Sequence, residues 1–192
     1  HGYGNPWPLH PFNRANNLNG IDGDADGDGE GKEVHTLRVP AVTRLQEAYV
    51  AVAAHVRAMA PSRALFLGGK SMGSRVACLV SAQLPVQGVV ALGYPLAPPS
   101  AKTPPKADMR EGLLRNLRVP VCIVQGERDP FGGPEAFEAV MNAVPKGSCL
   151  LSIPGGKHSF EVPKRGPLSE SAVFAMVADA IARFCVAQGP GA

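Results

Sequence analysis

The stretch that decides the fold is Leu65-Phe66-Leu67-Gly68-Gly69-Lys70-Ser71-Met72-Gly73-Ser74-Arg75-Val76-Ala77. It reads as a short apolar strand, a serine flanked by glycines, and the start of a helix. This arrangement lifts a hydroxyl group onto a sharp strand-to-helix turn. Gly69 and Gly73 suit such a turn, because side chains there would collide with neighbouring backbone. The stretch therefore predicts a nucleophilic serine at Ser71.

Two other interpretations of the same letters stay open at this point. The Gly-Lys-Ser triplet would end a phosphate-binding loop, but that pattern needs a glycine where Ala64 stands, and residues 64–67 form an apolar strand. An ordinary glycine-rich structural turn is the second alternative, since a lone G-x-S-x-G string often arises by chance. Residues elsewhere in the chain have to decide between these interpretations.

Composition bounds the class of protein. The chain has 192 residues, of which 45% are hydrophobic, enough for one domain with a buried core. The net charge of +3 is small and the basic residues are dispersed, which predicts no nucleic-acid partner. No apolar run is long enough to cross a bilayer and no secretory signal is visible, so we expect no membrane partner.

The cysteines indicate the redox setting. All four lie in apolar segments without a C-x-x-C pair: Cys78, Cys122, Cys149 and Cys185. Buried free thiols are the favoured interpretation, and they predict an intracellular protein, cytoplasmic or nuclear. The pattern offers no zinc site built on cysteines.

Residues 1–39 differ from the rest, being rich in Asn, Gly, Pro and Asp, and we expect an irregular N-terminal segment there. Within it, the ligand spacing of a calcium loop is matched by Asp22, Asp24, Asp26 and Glu33. The context is unfavourable, because Gly29 occupies a position that is usually apolar and no amphipathic helix precedes the loop. A solvated acidic linker is the alternative.

Residues 40–188 carry the periodicity of a folded domain. Apolar spacing predicts a helix from Pro40 to about Met59. Short apolar runs and amphipathic segments then alternate; the predicted strands are 64–67, 88–92, 119–125 and 148–153, and the predicted helices are 73–84, 109–117, 134–144 and 169–186. This alternation predicts an α/β fold in which flanking helices cover a parallel sheet.

Reactive side chains follow three of the predicted strands. Ser71 follows the first strand, Asp129 the third and His158 the fourth. Carboxyl ends of parallel strands meet at one edge of a sheet, so we expect these side chains to lie together. His158 would take the proton of Ser71, and Asp129 would hold the imidazole in the required tautomer, with Glu127 as a reserve acid. The backbone N–H of Met72 would donate to the oxyanion.

Four motifs resemble a known family: Gly68-Gly69-Lys70-Ser71-Met72-Gly73-Ser74-Arg75-Val76-Ala77, Leu92-Gly93-Tyr94-Pro95-Leu96, Val124-Gln125-Gly126-Glu127-Arg128-Asp129-Pro130-Phe131-Gly132 and His158-Ser159-Phe160. The chain resembles a small α/β-hydrolase family that includes dienelactone-hydrolase-like proteins, testis-expressed protein 30 and the hydrolase-like domain of NSL complex subunit three. The resemblance implies a triad of Ser71, Asp129 and His158. It also implies that Tyr94 and Leu96 border the substrate site. Triad chemistry needs no cofactor, so we expect none.

The chain departs from this family in the part before the nucleophile. Strands that normally precede it are missing, so residues 40–188 look like the C-terminal portion of the fold. His1-Gly2-Tyr3-Gly4 matches the letters of an H-G-x-G oxyanion segment, but too few residues follow it for the usual helix. We therefore expect the nucleophile strand at a sheet edge, covered by the N-terminal segment or by a partner protein.

Two functions follow from these residues. The first is a serine hydrolase that cleaves a small-molecule ester or thioester. The alternative is a catalytically impaired hydrolase-like scaffold or binding subunit of a larger complex.

Overall fold

Helices and strands alternate along the chain, as the apolar spacing predicts. The structure is a computed structural model and describes residues 42–97 and 107–189. Its elements are α1 (Val42–Met59), β1 (Phe66–Lys70), α2 (Met72–Ser81), β2 (Gly88–Leu92), α3 (Ala107–Arg115), β3 (Val121–Gly126), a 3-10 helix (Pro134–Phe137), α4 (Glu138–Met141), β4 (Cys149–Ile153) and α5 (Glu170–Ala187).

The four strands form one parallel sheet in the order β1-β2-β3-β4. Each strand therefore lies beside its neighbour in sequence, and a helical crossover returns the chain to the same end of the sheet each time. All four carboxyl ends consequently lie along one edge. The predicted α/β class with a parallel sheet and flanking helices is confirmed.

Each face of the sheet has its own apolar core. Side chains of β3 alternate, so that Val121 and Ile123 join the core under α1, α2 and α3, whereas Cys122 and Val124 join the core under α5. Every residue of β3 is buried, which is expected for a strand covered on both faces. Burying one such aliphatic side chain stabilises the fold by about 1.5 to 3 kcal/mol.

Within the described residues, β1 pairs with β2 alone and its other edge is unpaired. The hydroxyl of Tyr49 in α1 donates a hydrogen bond to the Gly68 carbonyl over 3.0 Å. An apolar cavity of about 490 Å³ lies between α1 and this strand, lined among others by Val52 and Phe66. Val52, which lines this cavity, is 63% exposed. The expected edge position of the nucleophile strand is thus observed for the described chain.

Two of the differences from the predicted element bounds concern β1 and the helix predicted over 134–144. β1 begins at Phe66 and continues through Gly69 to Lys70, because these residues pair with Ala91 and Leu92 of β2. The helix predicted over 134–144 is a 3-10 helix followed by the single turn of α4. Pro145 disfavours helical backbone in the residue before it, which limits the extension of α4.

Candidate active site

Ser71 lies on the turn between β1 and α2 and has strained backbone geometry. Its φ of 53° and ψ of −119° fall in a region that residues with a side chain seldom adopt. The turn is tight, since a Cβ atom added to Gly69 would lie 2.3 Å from the carbonyl carbon of Gly73. The Ser74 hydroxyl donates to the Ser71 carbonyl, so this side chain supports the turn.

Ser71, His158 and Asp129 form a hydrogen-bonded chain. Nε2 of His158 lies 2.9 Å from Oγ of Ser71, and Nδ1 lies 2.8 Å from Oδ2 of Asp129. An ionised carboxylate only accepts hydrogen bonds, so Nδ1 carries the proton and Nε2 accepts from the serine hydroxyl. The structure thus brings together the three side chains that we expect to meet from their positions after parallel strands.

The carboxylate of Asp129 is held by three donors. Besides His158, the side-chain amide of Gln125 donates to Oδ2 over 2.8 Å and the backbone N–H of Phe131 donates to Oδ1 over 2.9 Å. Asp129 is buried, and hydrogen bonds of this kind compensate for the lost hydration of a carboxylate. Its orientation toward His158 is therefore fixed from two further directions.

Glu127 lies elsewhere on the same loop. Its side chain is exposed and accepts a hydrogen bond from the backbone N–H of Gly155 over 2.8 Å. Asp129, rather than Glu127, contacts His158 in the structure. Glu127 instead ties the loop after β3 to the loop after β4.

The loop that carries His158 packs closely against neighbouring strand ends. The rings of His158 and Phe131 have centroids 4.6 Å apart. A Cβ atom at Gly93, whose φ is 55°, would lie 2.9 Å from the His158 carbonyl oxygen, so this strand end needs glycine. Lys70 reaches across from β1, and its Nζ donates to Oγ of Ser159 over 3.0 Å.

The start of α2 offers a donor for a developing oxyanion. The Met72 N–H belongs to the first helical turn, where backbone N–H groups have no acceptor within the helix. The positive end of the helix dipole favours negative charge at the same place. The second donor suggested by His1-Gly2-Tyr3-Gly4 lies outside the described residues.

Tyr94 and Leu96 lie in the core under α1, α2 and α3. The Tyr94 hydroxyl donates to the Arg110 carbonyl over 2.7 Å, and its ring contacts Phe137 edge to face. Burial raises the pKa of Tyr94, consistent with a structural phenol. Leu96 lies next to the loop after β3, beside Gly132. A border of the substrate site at these two residues stays a prediction.

No metal site is formed by the described side chains. Over residues 42–97 and 107–189, His, Cys, Asp and Glu do not gather in groups of three that could hold an ion. The calcium-loop positions Asp22, Asp24, Asp26 and Glu33 lie outside the described residues. Among the described helices, none is long and apolar enough to span a bilayer.

Sequence reasoning missed several residues around the site. Gln125 has a signal in the sequence, because it is an amide in an otherwise apolar strand and must find partners when buried. Phe131 and Lys70 have no such signal, since their contacts with the His158 loop depend on how the loops pack.

Several solved structures of hydrolases have a similar fold. The match to an alpha-beta serine hydrolase homologue from Coxiella burnetii has 17% identity and a TM-score of 0.56, and covers 76% of this chain and 61% of that one. A serine hydrolase without a lid from Xanthomonas campestris has 19% identity and a TM-score of 0.53, and the match covers 77% of this chain and 58% of that one. Est1E from Butyrivibrio proteoclasticus has 17% identity and a TM-score of 0.58, and the match covers 78% of this chain and 71% of that one. The chain thus spans less than two thirds of the first two proteins.

At these identities the similarity concerns the fold, which is that of the alpha/beta hydrolases. A family model described as an alpha/beta hydrolase domain matches residues 32–186. That range includes all four strands of the sheet and the hydrogen-bonded chain of Ser71, His158 and Asp129. The protein therefore belongs to this alpha/beta hydrolase domain family.

Proposed function

We propose that the chain is a serine hydrolase domain that cleaves a carboxylic ester or thioester. The observation that carries the proposal is the hydrogen-bonded chain from Ser71 Oγ through His158 to Asp129, with distances of 2.9 and 2.8 Å. Nucleophile, base and orienting acid stand in the mutual contact that acyl transfer requires. The strained backbone of Ser71 is a second support, because such strain clusters at functional sites.

The geometry implies the following steps. Oγ of Ser71 attacks the carbonyl carbon while its proton moves to Nε2 of His158, and Asp129 stabilises the imidazolium. The carbonyl oxygen becomes an oxyanion that accepts a hydrogen bond from the Met72 N–H. The leaving alcohol or thiol takes the proton from Nε2. Water then repeats the sequence on the acyl-serine, releasing the acid, and none of these steps needs a cofactor.

The substrate class rests on the same chemistry. Est1E has been solved with ferulic acid bound, and a further neighbour is the esterase domain of a Rhodothermus marinus protein. These enzymes share only the fold with this chain, but their activities are compatible with a small carboxylic ester as the substrate. The motif resemblance to dienelactone-hydrolase-like proteins supports the same class.

Labelling with a fluorophosphonate probe tests the proposal. We expect stoichiometric attachment at Ser71, abolished in Ser71→Ala and in His158→Ala. Ser62→Ala is the matched control, because Ser62 is exposed and lies before β1. Labelling that survives Ser71→Ala, or folded protein that does not react, would overturn the assignment.

A hydrolase-like scaffold is the second proposed function. One edge of β1 is unpaired within residues 42–97 and 107–189, and an apolar cavity of about 490 Å³ lies beside it. Both features support a protein partner at this flank. In this case the folded protein hydrolyses none of a panel of esters and thioesters and is retained in a larger complex. Robust turnover that depends on Ser71 rules the scaffold out.

A further inference from the structure

Three of the four cysteines gather on one face of the sheet, away from the Ser71 turn. Cys122 of β3, Cys149 of β4 and Cys185 of α5 belong to the same apolar core. Cys122 and Cys149 are direct partners in the register of the two parallel strands. Their side chains therefore point to the same face from adjacent positions. All four thiols of the chain are free.

Adjacent positions on neighbouring strands allow a disulfide. Neighbouring strands run about 4.8 Å apart, and the Cα atoms of a disulfide are usually about 4.4 to 6.8 Å apart. Cys122 and Cys149 therefore meet the distance requirement without a change of sheet order. A bond between them would link β3 to β4 near the amino ends of the two strands.

Cys122 and Cys149 differ in their exposure to solvent. Cys122 is fully buried, with 0% of its surface exposed. Cys149 is partly exposed on β4, one of the two edge strands of the described sheet, and lines a cavity of about 350 Å³ together with Leu151, Arg183 and Phe184. A small reagent that enters this cavity reaches Cys149 first.

The two thiols also differ in acidity. The neighbouring Cys122 thiol lowers the pKa of Cys149, although partial burial opposes this effect. The neighbouring Cys149 thiol and burial raise the pKa of Cys122. Burial raises the pKa of Cys78 and Cys185 as well. Of the four thiols, Cys149 consequently has the largest thiolate fraction at neutral pH, and the thiolate is the reactive form.

We propose that Cys149 is a peroxide-reactive thiol and that Cys122 is its resolving partner, giving a reversible disulfide between β3 and β4. The Cys149 thiolate attacks one oxygen of hydrogen peroxide, the O–O bond breaks, and hydroxide leaves as the sulfur becomes a sulfenic acid. The Cys122 sulfur then attacks this sulfur and displaces the hydroxyl group, which leaves as water with the thiol proton. One peroxide is reduced for two thiols oxidised.

Oxidation of the 192-residue chain with limiting hydrogen peroxide tests the pair, with peptide mapping by mass spectrometry. Wild type should show a Cys122–Cys149 disulfide that dithiothreitol reverses. Cys122→Ser should instead retain a sulfenic acid at Cys149 that dimedone traps, and Cys149→Ser should give neither product. Cys78→Ser is the matched control and should form the disulfide as wild type does, because Cys78 lies in the other core.

Two further measurements keep the proposal testable if a buried substitution unfolds the chain. The wild-type peptide map needs no variant, and Cys122→Ala is a second substitution without a polar group. Iodoacetamide at neutral pH should alkylate Cys149 at least about tenfold faster than Cys78, since one unit of pKa corresponds to tenfold in thiolate. First reaction at Cys78 or Cys185, a Cys149–Cys185 bond, or an inert Cys149 would each overturn the proposal.

Discussion

The side-chain amide of Gln125 donates one hydrogen bond to Oδ2 of Asp129 over 2.8 Å and a second to the Gly132 carbonyl over 2.7 Å. The same carboxylate oxygen lies 2.8 Å from Nδ1 of His158. Gln125 therefore positions the carboxylate that contacts the His158 ring, and no hydrogen bond joins it to Ser71. Its fully buried location in β3 makes this support rigid.

Replacing Gln125 by methionine should lower the rate of ester hydrolysis roughly 10- to 100-fold. A hydrogen bond to a charged group contributes about 1.5 to 3 kcal/mol, and each 1.36 kcal/mol is about tenfold in rate. Because Gln125 acts through Asp129, kcat should fall while KM stays unchanged. Gln83→Met, at an exposed position two residues after the end of α2, is the control. Equal kinetics in both variants would contradict the positioning role.

The variants Asp129→Asn and Glu127→Gln should differ strongly in their kcat for ester hydrolysis. Loss of the Asp129 carboxylate removes the group that fixes the His158 tautomer, and in a serine triad such a change costs about 10⁴-fold in kcat. Glu127 is exposed and bonds the Gly155 N–H, so its amide variant should retain activity within about threefold. Turnover of both variants on one chromogenic ester decides between them. A larger loss in Glu127→Gln would reassign the acid.

Gly69→Ala and Gly68→Ala form a matched pair for stability. The added methyl group at Gly69 would lie 2.3 Å from the Gly73 backbone, whereas at Gly68 it would lie 3.4 Å from Val90, an ordinary contact. We expect Gly69→Ala to lower the free energy of unfolding by about 2 to 3 kcal/mol and Gly68→Ala by less than about 1 kcal/mol. Urea denaturation of both variants measures the difference. Similar denaturation midpoints would show that the turn between β1 and α2 has room for a methyl group at residue 69.

The stability of the chain should fall at alkaline pH. Burial raises the pKa of the Cys78 thiol from 9.0 to about 12. Between these values the unfolded chain loses the thiol proton and the folded chain keeps it, so the free energy of unfolding decreases as pH rises. Cys78→Ala should make this decrease shallower over the same range, measured by denaturant titration at several pH values. Parallel curves for the two proteins would count against the buried thiol as the cause.

The sequence by itself determined the class of the fold, and it predicted the three side chains that the structure brings into contact. Apolar runs alternating with amphipathic segments are local properties, and they identified all four strands to within a few residues. Chain order was sufficient to group Ser71, Asp129 and His158, because each follows a parallel strand and such strands end along one edge. The continuation of β1 through Gly69 to Lys70 was missed, since glycines after an apolar run usually indicate a turn.

Only the tertiary structure decided which side chains support these residues and which lie apart. The contacts of Gln125 with Asp129 and of Phe131 with His158, and the pairing of Cys122 with Cys149, depend on sheet order, register and loop packing. These are long-range properties, set by the burial of apolar faces of segments far apart in the chain. Local spacing can place a serine on a turn, but only packing of the whole sheet brings His158 to within 2.9 Å of it.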